Sequence, residues 1–349
     1  MGEKMKKKKI AILFLAIIIL VSNVLRFKED ISRNRIIFLS LVGIATLIVT
    51  FIISKISKEK VHLKFAVIAA FFGIILIFSV PIFHGSDETA HFFKVYSVFN
   101  NVETKTIDGQ EADLIPKLTI VRGENIVESI SLRDKTIDSN DTIETLEARG
   151  ARLYSAVSYI PYLLPVLLFQ KIMNLSIYYI GILGRLTAFI VWLLLSVHTI
   201  KVMPKRKEFM AFLCLMPVVL STVTTFSADL MTNTTILMFL AYWYRLYEEK
   251  RPIKKREIFV ISLLGIFTAY AKIVYALIFL ILFLLPKECF ESKKRKVISL
   301  LIIIVAILVA TIINTIFVGG DLLDVYPKII DQKEFIQNNF FSYITILIK

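Results

Sequence analysis

Two acids and a histidine stand together in the polar segment that follows a long apolar run. They are Asp87, Glu88 and His91, and a helix would place Asp87 and His91 on one face because they are four positions apart. A carboxylate beside an imidazole can act as a general base, position an acceptor or hold a metal. Ser86 followed by two acids is equally typical of a helix N-cap, so the pattern alone leaves both interpretations open.

Three more charged residues stand in or between apolar runs. Asp229 follows Ser227 and opens one run, Arg185 lies inside another, and Lys272 separates two short ones. Ionised groups in lipid are costly and usually line a cavity, which favours a functional role. The alternatives are a helix N-cap at Ser227 and extension of the two cations to the membrane surface. Tyr159 fits a belt of interfacial tyrosines.

The elements that would position these residues are transmembrane helices. The 349 residues are 56% hydrophobic and the mean hydropathy is +0.72. Apolar runs recur at about the 20-residue length that crosses a hydrocarbon core. They are continuous and not alternating, which favours helices over a barrel. The sequence therefore predicts an all-α integral membrane protein with about nine spans, at 10–24, 36–56, 65–83, 176–202, 209–226, 230–247, 258–270, 273–285 and 298–317.

The charges between the spans predict their direction. Segment 1–9 carries five Lys and one Glu, whereas 84–152 has eight basic and thirteen acidic residues. The first is predicted to be cytoplasmic and the second to lie outside the plasma membrane. The predicted organisation is an N-terminal extension of two spans, a membrane core with a large extracytoplasmic loop, and an outer amphipathic segment that begins another span, at 1–64, 65–317 (loop 84–175) and 318–349.

Two segments do not fit a plain count of crossings. Residues 153–173 are apolar, but Pro161 and Pro165 interrupt them. A full crossing would also reverse the sidedness of the basic segment that follows, so a re-entrant or juxtamembrane helix is predicted. Residues 257–286 have basic stretches at both ends and are predicted to form a hairpin with Lys272 at its outer tip. The six charged candidate residues then converge on the outer face.

Other classes of function lack support in the sequence. The net charge of +14 lies mostly between apolar runs, so membrane topology explains it without nucleic acid. A minor share of that charge could hold anionic lipid headgroups. No glycine-rich nucleotide loop or Cys/His cluster occurs, and a nucleotide-driven reaction is unsupported. The two cysteines, Cys214 and Cys289, indicate neither a disulfide framework nor a metal site.

Short motifs follow one another in a particular order: SDETAHF at 86–92, YSAVSYIP at 154–161, GRL at 184–186, MP at 203–204, LMP at 215–217, SAD at 227–229 with TN at 232–233, and AK at 271–272 with Tyr275. No single motif is specific. Their order and spacing, from about residue 65 to the C-terminus, resemble a bacterial membrane family known as domain of unknown function 2142. That family in turn resembles the GT-C glycosyltransferases.

The resemblance implies a GT-C-like core and transfer of a sugar on the outer membrane face. The donor would be a polyprenyl-phosphate-linked sugar and the acceptor a cell-surface polysaccharide or glycolipid. Asp87 and Glu88 would be catalytic, and Asp87 with Asp229 could hold Mg²⁺ or Mn²⁺. The residues that would bind substrate or phosphate are His91, Arg185, Asp229, Lys272 and Tyr159. These roles rest on analogy of fold.

Two other functions remain open at this point. The same charges could line the path of a transporter or flippase for a lipid-linked precursor, although no inverted repeat is visible. The chain could also be an inactive, truncated remnant. It stops at 346–349, where another span is expected to begin and where relatives are expected to continue.

Overall fold

The computed structural model describes residues 33–98, 151, 154–325 and 329–348, and the described residues form helices and turns without a strand. The predicted span at 10–24 lies outside them. The α-helices are α1 (Arg33–Lys55), α2 (Val61–Ser79), α3 (Glu88–Ser97), α4 (Ile160–Leu167), α5 (Ile177–Val202), α6 (Lys207–Cys214), α7 (Pro217–Val223), α8 (Asp229–Glu249), α9 (Lys255–Ala271), α10 (Lys293–Val325), α11 (Ile329–Asn338) and α12 (Phe340–Ile348). Two compact units divide the chain, Met1–Phe71 and Phe72–Lys349, and the candidate sites described below lie in the second.

Three described helices are long and apolar enough to cross a membrane: Val61–Ser79, Ile177–Val202 and Lys293–Phe317. Shorter apolar helices occupy Ser40–Lys55, Ala156–Ile172 and Ile273–Leu284. The helical class predicted from the apolar runs is therefore confirmed. The number of nine spans and the GT-C core stay predictions, as does the division of the chain into an extension and a core.

The predicted span at 209–226 is wrong as a single helix. The structure breaks it into α6, which ends at Cys214, and α7, which begins at Pro217. Proline has no N–H to donate and its ring clashes with the preceding turn, so it is tolerated at the start of a helix but not inside one. Hydropathy alone does not detect this break, because apolar residues continue on both sides of it.

The apolar segment 153–173 forms a short helical unit. A turn of 3-10 helix at Ala156–Tyr159 leads into α4, which continues as a π-helical turn at Leu168–Ile172. Pro165 lies inside α4, just before this irregular turn, where its missing N–H weakens the α-helical pattern. Its re-entrant or juxtamembrane placement stays a prediction.

The hairpin predicted at 257–286 has two different arms. One is α9, with 17 residues, and the other is a 3-10 helix of 12 residues, Ile273–Leu284. At rises of about 1.5 and 2.0 Å per residue, the arms are roughly 26 and 24 Å long. Because a 3-10 helix is longer per residue, the twelve residues of the second arm span nearly the same length as the seventeen residues of α9. Lys272, which has an extended backbone, joins the two arms at the tip.

The 3-10 arm repeats its faces every three residues, as its three residues per turn require. Phe279 and Leu282 are buried on one face, whereas Leu277 and Leu280 on another are more than half exposed. The ring of Phe279 stacks on Phe239 of α8 with centroids 3.9 Å apart. This packing fixes the 3-10 arm against α8.

Helices α8 and α9 pack closely and place two polar ends together. The hydroxyl of Thr268 in α9 donates to the hydroxyl of Thr235 in α8 at 2.9 Å, in a buried contact. Helix α8 begins at Asp229, and α9 ends just before Lys272, so these residues meet at one end of the pair. The 21 residues of α8 put its other end about 30 Å away, close to the thickness of a hydrocarbon core.

Candidate functional site

The acidic motif forms the entry to helix α3. The helix begins at Glu88, and Asp87 is its N-cap residue with φ 53° and ψ 18°, in the left-handed region. Asp87 makes no side-chain capping bond and is exposed. The alternative of an N-cap at Ser86 is therefore wrong by one residue. Positive φ is uncommon outside glycine, although aspartate adopts it more readily than most residues, and it persists only where the surroundings impose it.

The surroundings that impose it centre on Glu88. Its carboxylate accepts hydrogen bonds from the backbone N–H of Gly85 at 3.1 Å and of Phe226 at 3.0 Å. It also accepts two from Arg185, from Nε at 2.7 Å and from Nη2 at 2.5 Å. The side chains of both charged residues are fully buried. We call this two-residue ion pair the Glu88–Arg185 clamp.

The guanidinium of the clamp also closes the end of α2. Arg185 donates to the backbone carbonyls of Ile77 at 3.2 Å, Val80 at 2.7 Å and Pro81 at 2.8 Å. The last carbonyls of a helix have no partner within it, and a cation there also complements the helix dipole. The clamp therefore joins α2, the acidic motif, α5 and the segment before α8 at one buried point.

A histidine and a tyrosine form the next layer of the site. His91 Nδ1 and the hydroxyl of Tyr159 are 2.5 Å apart, across 68 positions of the chain. Tyr159 is fully buried, and only 8% of His91 is exposed. The His91 ring also lies 5.5 Å from the ring of Tyr154 between centroids. The contact ties the first turns of α3 to the segment before α4.

A second ion pair faces this layer. Lys272 Nζ lies 2.6 Å from Asp229 Oδ1, and both side chains remain partly exposed. The ammonium also lies 5.8 Å from the ring centre of Tyr154 and 5.9 Å from that of Tyr275, within range of cation–π attraction. Burial lowers the pKa of Lys272, but the hydrogen bond and charge of Asp229 outweigh it and leave that pKa above its ordinary value.

At the start of α8, Ser227 caps the helix and Asp229 is available for an ion pair, so both interpretations of this segment apply. Ser227 Oγ accepts a hydrogen bond from the backbone N–H of Asp229 at 3.1 Å, so the serine does stabilise the helix start. It does so from the position before the N-cap, which is Ala228. The Asp229 carboxylate remains available to Lys272. The local cap and the ion pair are thus compatible, and one does not exclude the other.

The groups of the acidic motif and of the hairpin tip are close enough to act on one another. Burial lowers the pKa of His91, while the charges of Asp87 and Asp229 raise it and that of Lys272 lowers it. The net pKa lies below the ordinary value, so the imidazole is neutral near pH 7. We call the group formed by Asp87, His91, Tyr159, Asp229 and Lys272 the polar cluster.

The polar cluster does not make a good metal site. Among the described residues, no group of three or more His, Cys, Asp or Glu side chains is arranged to hold a metal ion. Lys272 already neutralises Asp229. A metal at Asp87 and Asp229 therefore stays a prediction, and the observed donor set does not fit it.

The structure places every residue of the predicted site, in two groups. The polar cluster holds five of them, while Glu88 and Arg185 form the clamp, with no exposed side-chain surface. Catalysis by Glu88 and phosphate binding by Arg185 stay predictions. Sequence reasoning missed Tyr162, which is buried and donates to the carbonyl of Thr225 at 2.7 Å. Its tyrosine-rich surroundings suggested only an aromatic belt.

The folded protein is expected to lose stability as pH falls below about 6.5, through His91. The unfolded chain binds a proton there near pH 6.5, whereas the folded chain, with its lowered pKa, does so only at lower pH. The unfolded state then holds more protons, and the free energy of unfolding falls. Thermal unfolding in detergent across this range measures the effect. His91→Gln should weaken the dependence of the unfolding temperature on pH. The same dependence in that variant as in the native protein would show that His91 is not its source.

The comparisons with known proteins give one match. Residues 70–348 match the family described as Predicted membrane protein (DUF2142). No curated protein and no solved structure matches the chain.

Proposed function

The chain belongs to this family of predicted membrane proteins, and we propose that its polar cluster transfers a sugar from a polyprenyl-phosphate donor to a cell-surface polysaccharide or glycolipid. The observation that carries the proposal is the position of Asp87. Its exposed carboxylate stands on a backbone that the buried clamp holds, and the charges of Asp87 and Lys272 both act on His91. Such a site combines a base for the acceptor with positive charge for a departing phosphate.

The proposed reaction is a direct displacement. The oxygen of the acceptor hydroxyl forms a bond to the anomeric carbon, and the bond from that carbon to the phosphate oxygen breaks. Asp87 takes the hydroxyl proton, and the lipid phosphate leaves as an anion beside Lys272. Preorganised charge at the leaving group lowers the barrier because it needs no rearrangement during the reaction.

The buried residues have positioning roles in this scheme. The His91–Tyr159 contact fixes the first turns of α3, on which the base stands. The Glu88–Arg185 clamp fixes the backbone before Asp87 through Gly85 and ties it to the segment before α8 through Phe226. This division assigns the chemistry to the partly exposed groups and the alignment to the buried ones, since errors of about 1 Å in alignment are costly to rate.

The proposed topology places the polar cluster at the outer surface of the plasma membrane, within a GT-C-like core. Helix α8 supports it, because its two ends are about 30 Å apart and the segment 250–256, which follows the end away from the cluster, carries five cations. The excess of positive charge marks the cytoplasmic side.

The decisive experiment is sugar transfer by the purified protein in detergent. A labelled polyprenyl-phosphate sugar is supplied with extracts of cell-surface glycan as acceptors, and labelled product is measured. A flippase needs two compartments and forms no new glycosidic bond. Translocation in sealed vesicles without any transfer in detergent would therefore favour the flippase and overturn the proposal.

Lys272→Met is expected to lower kcat/KM for the lipid donor by about 10²-fold, because it removes the charge beside the departing phosphate. Lys272→Arg keeps the charge and should retain much of the activity. Lys171→Met, at an exposed lysine in the π-helical turn, is the control and should leave transfer unchanged. Equal activity in Lys272→Met and the native protein would remove Lys272 from the mechanism.

A further inference from the structure

The end of the second unit that lies away from the polar cluster carries a strong positive charge. Segments 201–208, 245–257 and 287–296 each have a net charge of +3. Eleven of their cations are exposed, among them Arg206, Lys250, Lys255, Lys287, Lys293 and Lys294. We call these six residues the basic surface.

Direct contacts bring the three segments together. Lys205 Nζ lies 2.7 Å from Glu248 Oε2, which joins the first segment to the second. The N–H of Ile253 donates to the carbonyl of Cys289 at 2.9 Å, and the thiol of Cys289 donates to the carbonyl of Leu246 at 3.3 Å. The second and third segments are therefore tied by hydrogen bonds, and their charges act as one field.

Most of the acids at this end are already occupied by other cations. Arg251 makes two hydrogen bonds to Glu257, at 2.8 and 2.6 Å, and a third to Glu249 at 2.7 Å. Glu248 pairs with Lys205. None of the six residues of the basic surface forms an ion pair within the part of the chain that the structure describes. Their mutual repulsion favours an external anion.

The apolar neighbours of the basic surface indicate where that anion sits. Phe209, Phe259 and Val297, each next to one of the three segments, are 59%, 66% and 64% exposed. Large apolar side chains exposed beside cations are typical of the boundary between acyl chains and headgroups. A soluble polyanion would cover the cations and leave these side chains in water.

We propose that the basic surface binds the headgroups of acidic phospholipids, through their phosphates, on the membrane face opposite the polar cluster. Lysines near a membrane surface attract anionic lipids individually, and three segments that present cations together retain such lipids against exchange. The lipids supply the negative charge that the acids of this end do not.

Native mass spectrometry of the purified protein tests the proposal by counting retained lipid. The probes are phosphatidylglycerol and phosphatidylcholine, added to the detergent-solubilised protein, with glycerol phosphate as the soluble form of the headgroup. The variant Lys255→Gln/Lys287→Gln/Lys293→Gln/Lys294→Gln removes four charges, and the matched control carries Arg at the same positions. We expect preferential retention of phosphatidylglycerol, weakened about tenfold in the Gln variant and kept in the Arg variant.

High salt provides a test on the native protein that requires no variant. The Debye length falls from about 10 Å at 0.1 M to about 3 Å at 1 M, so retention of phosphatidylglycerol should fall with it. Equal retention of both lipids, or no loss in a folded Gln variant, would overturn the proposal. Binding of glycerol phosphate as tightly as the lipid would also overturn it, because it would identify a site for a free phosphate compound.

Discussion

Arg185→Met is expected to destabilise the folded protein by roughly 3–5 kcal/mol, because it leaves the carboxylate of Glu88 buried without its charge partner. The variant also removes the donor that Arg185 supplies to three backbone carbonyls at and just after the end of α2. Unfolding in detergent, followed by heat or denaturant, measures the loss. The double variant Glu88→Gln/Arg185→Met should recover part of it, since no charge then remains buried.

The control for this prediction is the exposed ion pair at the other end of the protein. Lys205→Met breaks the contact with Glu248, where 70% of the lysine side chain is exposed, and should leave stability within experimental error. If Arg185→Met also unfolded at the same temperature as the native protein, the buried clamp would contribute nothing to stability.

Asp87→Asn is expected to lower sugar transfer by about 10²–10⁴-fold, the usual contribution of a general base. Asparagine keeps the size of the side chain and also tolerates the left-handed backbone that Asp87 adopts. Folding should therefore be unchanged, because the exposed carboxylate makes no side-chain capping bond. Initial rates with the lipid-linked sugar, together with unfolding curves of the same preparation, give both measurements.

Glu208→Gln supplies the matched control, since Glu208, like Asp87, is an exposed acid at the start of a helix. It should transfer sugar at the native rate. Full activity in Asp87→Asn would end the assignment of this residue as the base. Loss of activity together with loss of stability would instead show that Asp87 acts on the fold.

The sequence predicted well what depends on local properties. The helix predicted at 176–202 is found at Ile177–Val202, because a long apolar run without an interior proline has only one stable form in lipid. Lys272 was placed at a hairpin tip from charge alone, and the structure puts it between the two arms. The grouping of Asp229 with Lys272 followed from these placements.

What the sequence could not predict depends on pairing across the chain. Glu88 and Arg185 are 97 positions apart, and nothing in either neighbourhood indicates that each satisfies the other. Both therefore resembled groups left free for a substrate. The 3-10 form of Ile273–Leu284 is equally hidden, since its composition suits an α-helix and the longer form depends on packing against neighbouring helices, including α8 and α9.

The clamp also determines the order in which a newly synthesised chain can complete its site. Glu88 is made first, Arg185 emerges 97 residues later, and the N–H of Phe226 only 138 residues later. At about 5–20 residues per second, the ribosome needs roughly 7–28 s to supply the last of these partners. During that interval the carboxylate stays in water, because burying it unpaired is prohibitive. The acidic motif is thus translated well before the residues that complete its burial.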